Sequence, residues 1–538
     1  MTEVPRGESD EVATDAATTF VDDNLHAEEA VEAEGVLGAD GLVVVPATQA
    51  EGGGPQGADG QSLGTTATRG FLWANVGILT RYVAALVLAA VLARSLSSDE
   101  YRVMVALTTM LLYLDTALDL GMGAALVFEQ ERGITRRVQV AFTANVVLSL
   151  VLAVVAVLLA PVIAWVYHLE DFVNVFRALG VVVLISGLTT VPWALFTREM
   201  AFRPRAYTEV SRDLSRFGVT VALVAAGWGA WGVLVGFLVA KVVWWLLTWW
   251  RVKFHPRLAW DRTVFGELFS YAWKHAGNSF LGLLALNGDY FVVGRRASSE
   301  LGTYYQAFRL PEFFLAGQLN AMSAVLFPMY SRIRSDGQAA LREAMYKALS
   351  IVSMFSIPAG IGLALVARDA FGLMFGTYDP AGITTMEIIS ITGCIVGLGF
   401  ATGDLLFATG RPGVMMRLNL VMVPLMLTAM WVVGPRGIVW IAGVHLVTAA
   451  VFTTIRQLIV NHVAGASMAG VLRAILPGLT VGACVAAAAL PVRLATSEGF
   501  ASMVLIVLAG VGGGAVGLAL SSKARQVIRE LVAKLRGG

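Results

Sequence analysis

Charge is scarce in this chain of 538 residues, and cysteine scarcer. Asp, Glu, Lys and Arg together supply 14% of it, too little to coat a globular protein of that size. Hydrophobic residues reach 57% and the mean hydropathy is +0.71, which excludes a soluble domain. The two cysteines, Cys394 and Cys484, both fall in apolar stretches. They imply no disulfide framework and no thiolate set for a metal, and read as small core-filling residues. A Walker A loop, zinc-ligand spacing and a nucleophile elbow are also missing, so neither enzymatic activity nor a cofactor or ATP site is expected. The net charge of +1 gives no reason to expect nucleic acid as a partner. The first 30 residues are acidic and hold no apolar signal-peptide core, so the first membrane helix is expected to direct insertion.

Long apolar runs are plentiful. Each is roughly 20 residues, enough to cross a ~30 Å hydrocarbon core as a helix. They do not alternate apolar with polar, as barrel strands would. The expected fold is an all-α polytopic membrane protein of about fourteen helices. These fall near 71–94, 103–128, 138–165, 175–197, 207–227, 230–250, 270–294, 303–330, 347–367, 382–408, 416–433, 438–460, 469–491 and 500–521. Before them, residues 1–68 hold fourteen acids against one base, Arg6, a composition that predicts a disordered cytoplasmic tail. Within that tail the short apolar island 41–46 reads as inert. After the helices, 522–538 is a basic tail that reads as a topology anchor, with lipid-headgroup binding as the alternative.

Orientation follows from lysine and arginine in alternate loops. Even-numbered loops and the juxtamembrane tails hold 26 of these bases, including Arg198, Arg203, Arg205, Arg212 and Arg216. The opposite loops hold 7: Arg94, Arg102, Arg295, Arg296, Arg368, Arg436 and Arg493. Both termini are therefore expected in the cytoplasm.

Two segments about 200 residues apart resemble each other. Trp73-Ala-Asn-Val-Gly77 and Ala93-Arg-Ser-Leu-Ser-Ser-Asp-Glu-Tyr101 match Trp273-Lys-His-Ala-Gly277 and Arg296-Ala-Ser-Ser-Glu-Leu-Gly-Thr-Tyr304. The offset is six helices, an even number, so the two copies share one orientation. Parallel repeats of this kind are a transporter architecture with substrate handled between the lobes. An N-lobe over 69–250, a C-lobe over 251–460 and two further helices over 461–521 follow.

Asn287-Gly-Asp-Tyr-Phe-Val-Val-Gly-Arg295, Ser298-Ser-Glu-Leu-Gly-Thr-Tyr-Tyr-Gln-Ala-Phe-Arg-Leu310 and Val325-Leu-Phe-Pro-Met-Tyr-Ser-Arg-Ile333 resemble the second-lobe signature of polysaccharide flippases. Leu96-Ser-Ser-Asp-Glu-Tyr101, Asp119-Leu-Gly-Met-Gly-Ala-Ala-Leu-Val127 and Ala408-Thr-Gly-Arg-Pro412 extend the likeness over about 70–522. The resemblance is to the lipopolysaccharide and teichuronic-acid exporters of the multidrug/oligosaccharidyl-lipid/polysaccharide superfamily. It implies a MATE-like fold and translocation of undecaprenyl-diphosphate-linked glycan, with membrane lipids, glycosyltransferases and a polymerase as neighbours. The family pattern Glu-Tyr-Gly is broken here as Glu100-Tyr101-Arg102.

Charges at membrane depth cost at least ~2.5 kcal/mol each, so they mark an interior cavity or a partner. Arg81, Lys241, Lys274 and Arg309 are the candidate bases for holding a lipid diphosphate. Asp115, Asp119, Asp289, Glu312 and Asp404 are candidates for ion or proton coupling, or for pairing with those bases. Asp115 or Asp119 would pair with Arg81, and Arg309 with Glu312 three residues on. His445 reads as an interhelical hydrogen bonder, and Trp244, Trp245, Trp249 and Trp250 as an interfacial belt. Rival readings are a lipid II flippase, a small-molecule cation antiporter on the same fold, and a membrane glycan polymerase or ligase.

Overall fold

The computed structural model describes residues 83–119, 135–198, 202–252 and 257–526, and a two-residue antiparallel ladder pairing Val36–Leu37 (β1) with Val43–Val44 (β2). Arg81, the rest of the acidic segment and residues 527–538 lie outside the described residues, as do the side chains of Lys274 and a few of its neighbours.

Hydrocarbon offers no hydrogen bonds, so an apolar chain crossing it must satisfy its backbone internally, and the helix does so with local bonds alone. Helices follow one another as α1 (Val83–Ser95), α2 (Ser98–Asp119), α3 (Thr135–Tyr167), α4 (Val173–Arg198), α5 (Phe202–Ala225) and α6 (Gly229–Arg251). Then come α7 (Arg262–Asn287), α8 (Asp289–Arg296), α9 (Leu301–Pro311), α10 (Gly317–Ile333), α11 (Gln338–Phe375) and α12 (Pro380–Ala408). The chain closes with α13 (Pro412–Val433), α14 (Ile438–Ala464), α15 (Met468–Ala495) and α16 (Phe500–Leu520). Among the described residues ten helices are long and apolar enough to span a bilayer: α2, α3, α4, α6 and α11 to α16. This is a multi-pass membrane protein.

The remaining segments depart from simple spans for local reasons. The run expected at 270–294 is broken at Gly288 into α7 and α8, where Asn287-Gly288 weakens the helix. The run expected at 303–330 ends its first part at Pro311 and passes through a π-helical turn, Glu312–Ala316, before α10. Proline removes a backbone donor and so loosens the ladder at that point. α5 starts at Phe202, ahead of the expected 207, so Arg203 and Arg205 lie within the helix along with Arg212 and Arg216.

The sequence repeat has a counterpart in space. Glu100 accepts from the backbone N–H of Ser97 at 3.0 Å and stands against Gly229, the first residue of α6. Glu300, 200 residues later, accepts from the N–H of Ile438 at 3.0 Å, the first residue of α14. Gly229 and Gly437 both have positive φ, +51° and +102°, and a Cβ at either would crowd that carboxylate.

At one end, early helices are tied to later ones. Arg94 donates from Nε to the carbonyl of Met374 at 3.1 Å and also contacts that of Leu373, both on α11. Arg295 on α8 meets His168 Nε2 at 2.6 Å and lies 4.1 Å above the ring of Trp165. Tyr101 and Tyr305 pack edge to face at 6.3 Å, and one buried apolar cluster runs through α2, α3, α4, α6, α8, α9, α13 and α14. At the opposite end Arg136 pairs with Asp261 and Arg137 with Glu267, each at 2.8 Å. Asp261 caps α7; the N–H groups of Val264 and Thr263 and the Arg136 guanidinium together hold its carboxyl below the ordinary aspartate range.

Candidate functional site

The buried and half-buried polar side chains among the helices form two groups. The first is built on α5, whose residues 205, 209, 212, 213 and 216 recur at helical spacing on one face. Arg205 Nε pairs with Glu209 at 3.1 Å, and Arg212 Nε with Asp213 at 2.8 Å. Opposite them on α6, Lys241 Nζ meets Asp115 Oδ2 of α2 at 2.6 Å. Arg212 and Arg216 lie within electrostatic reach of Lys241. Aromatic faces line the same space. Arg205 sits 5.4 Å from the Trp193 ring, Arg212 5.7 Å and Lys241 5.0 Å from the Trp244 ring, and Arg216 3.9 Å from Phe237. Trp193 and Trp244 pack edge to face at 5.4 Å.

Four bases against three acids leave this group with a positive surplus. The pairs stay part-accessible, with Lys241 at 12% and Asp115 at 37%. Trp244 Nε1 is buried with no hydrogen-bond partner among the described residues. A buried donor of that kind wants water or a ligand oxygen. Taken together, the group can hold a polar, anionic head and place flat rings against it.

The second group runs down the later helices. Asp289, almost fully buried at the α7–α8 break, accepts from the N–H of Tyr290 at 3.0 Å and the hydroxyl of Tyr304 at 2.7 Å. His445 Nε2 on α14 lies 3.1 Å from Asp289 Oδ2 and 3.1 Å from the Tyr304 oxygen. Further in, Arg309 and Glu312 pair at 2.8 Å across the start of the π turn, with Arg309 4.1 Å from the Tyr305 ring. Near the end of α12, Asp404 Oδ1 accepts from Ser323 at 2.6 Å, while the Arg456 guanidinium packs against Gly399. Among the described residues no cluster of three or more His, Cys, Asp and Glu side chains is placed to hold a metal.

The structure thus brings Lys241 and Asp115 together, and Arg309 and Glu312, while Asp119 ends α2 one turn beyond Asp115. Asp115 pairs with Lys241, while the expected pairing of Arg81 with Asp115 or Asp119 falls on a residue outside the described ones, as does the side chain of Lys274. His445 is an interhelical hydrogen bonder. Of the four tryptophans read as a belt, Trp250 is 80% exposed, whereas Trp244, Trp245 and Trp249 pack inside and Trp249 donates to the Leu188 carbonyl. Sequence reasoning counted Arg205, Arg212 and Arg216 toward orientation and not toward a site, although Arg212 and Arg216 fell inside the helix expected at 207–227. Their i, i+3 and i+4 spacing with Glu209 and Asp213 was the available signal.

The model of the family described as "Polysaccharide biosynthesis protein" matches residues 91–378. The chain belongs to that family. It is 21% identical over 345 residues to the teichuronic acid biosynthesis protein TuaB of Bacillus subtilis (strain 168), covering 64% of this chain and 71% of that one. The lipopolysaccharide biosynthesis protein WzxC of Escherichia coli (strain K12) is 25% identical over 355 residues, covering 65% and 71%. Among solved structures, the lipid II flippase MurJ in an inward closed conformation aligns with a TM-score of 0.71 at 11% identity, over 85% of this chain and 100% of that one. An inward-facing MATE family transporter of the MOP superfamily aligns at 0.57 and 16% identity, over 72% and 96%. This family member shares the fold of both structures. Arg102, where the resemblance implies a glycine, donates to the Tyr167 carbonyl at 2.9 Å and pairs with Asp99 at 2.7 Å, tying α2 to the end of α3.

Proposed function

We propose that this protein is a flippase that moves undecaprenyl-diphosphate-linked oligosaccharide from the inner to the outer leaflet of the cytoplasmic membrane, by alternating access. The observation that carries the reading is the base-rich, aromatic-lined group of Arg205, Arg212, Arg216 and Lys241 at membrane depth, in a chain of the polysaccharide biosynthesis family. A diphosphate offers acceptor oxygens that guanidinium and ammonium groups hold strongly where the local dielectric is low.

In this reading the chain crosses the membrane fourteen times, as two six-helix lobes and a final pair, with both termini inside. The matched placement of Glu100 at Gly229 and Glu300 beside Ile438 supports the lobe equivalence. In this reading the contacts of Arg94 and Arg295 are the closed outer gate. The sugar-diphosphate head enters from the cytoplasm and the polyprenyl tail stays in lipid. Arg81 and Lys274 add to the cavity, and glycosyltransferases and a polymerase supply and use the passenger.

A cation antiporter would need surplus negative charge, and the α5–α6 group has surplus positive. Lys241→Ala and Arg212→Ala, and separately Arg81→Ala and Arg309→Ala, are expected to stop export while the protein still reaches the membrane. Lipid-linked glycan should then accumulate on the inner leaflet. Undiminished export in all four variants would overturn the assignment, and accumulation of the peptidoglycan precursor instead would make the protein a lipid II flippase.

A further inference from the structure

We infer that the acidic segment 1–68 docks on a basic surface at one end of the later helices, so that the chain supplies its own counter-charge there.

Four stretches of the later chain meet at that end. Gln338 and Arg342, at the start of α11, donate to the carbonyls of Val463 and Gly465 at 3.0 and 3.1 Å. The Tyr346 hydroxyl accepts from the Ser467 N–H at 3.0 Å, so α11 starts beside the turn between α14 and α15. Arg334, in the turn before α11, donates to the Ala408 carbonyl at 3.2 Å, where α12 gives way to α13. Gly513 and Gly517 of α16 pack on Cys484 and Val481 of α15, which makes those two helices antiparallel. The end of α16 therefore returns to the start of α15.

Residues 331–347, 408–417, 462–473 and 521–526 hold nine Lys and Arg against two acids, Asp336 and Glu343. Arg334, Arg342 and Arg417 are engaged in part by helix-end carbonyls, a structural task. Arg411, Arg473, Lys523 and Arg525 do not share it. They are exposed, and no carboxylate pairs with them among the described residues. Bases gathered with so few acids repel one another and draw an anion to the surface.

An anion of matching size is tethered nearby. Residues 1–68 carry fourteen acids and one base, and they lead into α1. Arg94, at the far end of α1, contacts the Leu373 and Met374 carbonyls at the end of α11. Leu86 and Ala93 pack on the same apolar cluster as α11, so the two helices run side by side. The acidic segment thus enters at the end where α11 starts, which is the basic end. Its β1 strand lies against α7, another of the later helices. A coil of that length spans about 45 Å, several times the ~10 Å between packed helices. Tethering gives it an effective concentration in the millimolar range, an advantage over a free anion. Exposed ion pairs are weak singly, so the dock depends on many charges and yields to salt. Under the flippase reading, which the dock does not need, this is the end at which cargo enters.

The contact itself can be trapped. The full-length chain with Cys394→Ser, Cys484→Ser and Glu28→Cys is labelled with a benzophenone maleimide in phosphatidylcholine vesicles, irradiated and mapped by mass spectrometry. Adducts should gather in the four basic stretches and fall by about fivefold or more in about 1 M sodium chloride. The same loss should follow from changing the acids of 1–40 to Asn and Gln. It should follow again from Arg411→Gln, Arg473→Gln, Lys523→Gln and Arg525→Gln together, with an unchanged melting temperature in detergent. Adducts spread over other surfaces, or unmoved by neutralising either side, overturn the dock. In vesicles of phosphatidylglycerol the adducts should persist; their disappearance would give the surface to anionic lipid and refute the segment as its occupant. No glycan enters the readout, so a failed dock leaves the flippase reading standing, and failed export in the flippase test leaves the dock untouched.

Discussion

Glu300 accepts a hydrogen bond from the backbone N–H of Ile438 at 3.0 Å, placing a carboxylate at the first residue of α14. A negative charge there complements the exposed donors and partial positive charge of a helix start. Replacing Glu300 with Ala should lower stability by about 1 kcal/mol, with Gln recovering part of it. Glu100→Ala, at the matching place against α6, should cost a similar amount. Melting curves of the purified protein in detergent measure both, and an effect at one site without the other would break the proposed equivalence of the halves.

The Lys241–Asp115 pair should behave as a unit. Lys241→Ala leaves Asp115 without its cation; because Asp115 is 37% exposed, the expected loss is discounted to about 1–3 kcal/mol. Adding Asp115→Asn should restore most of the stability and none of the export. Recovery of both together would mean that the pair is structural only.

Arg212 and Arg216 were invisible as site residues in the sequence, which makes them a sharp check. Each Ala variant should cut glycan export by about tenfold or more, the size expected for losing a charge-assisted hydrogen bond to an anionic head. Radiolabelled lipid-linked sugar in inner and outer leaflets gives the ratio.

Arg102 should prove structural. Restoring the family's glycine, Arg102→Gly, removes its bonds to Tyr167 and Asp99 and adds the cost of a helical glycine, about 2–3 kcal/mol together. Export per folded molecule should stay unchanged. Lost export at full stability would place Arg102 in the transport path.

Acid should weaken the contact between α3 and α7. Asp261 is held below the ordinary aspartate range by the Val264 N–H first, then the Thr263 N–H and Arg136, so its ionised form belongs to the folded state. Its contribution is complete above the unfolded aspartate value, near ~4, and is lost as pH falls through the lower folded value. A melting-temperature series on wild type and Asp261→Asn should show the variant with the shallower acid decline.

Much of the fold was legible in the chain because its causes are local. An apolar run of ~20 residues has one stable form in hydrocarbon, and the Arg309–Glu312 pair is three residues apart on one helix turn. The charged face of α5 hid for the opposite reason: its bases served to orient a helix already expected at 207–227, and the groups that make them a site, Trp193, Trp244 and Lys241, stand on other helices. The family, too, was readable, since its motifs sit at turns where few residue types fit.

Sequence alone therefore determined that this is a helical membrane protein of the polysaccharide biosynthesis family, because solvation in lipid and turn chemistry act on neighbours in the chain. Only the tertiary structure decided that Asp115 belongs to Lys241, 126 positions away, and Asp289 to His445, 156 away. Such partners are selected by which helix faces meet, and that choice is made by packing across the whole molecule, which no stretch of residues carries within itself.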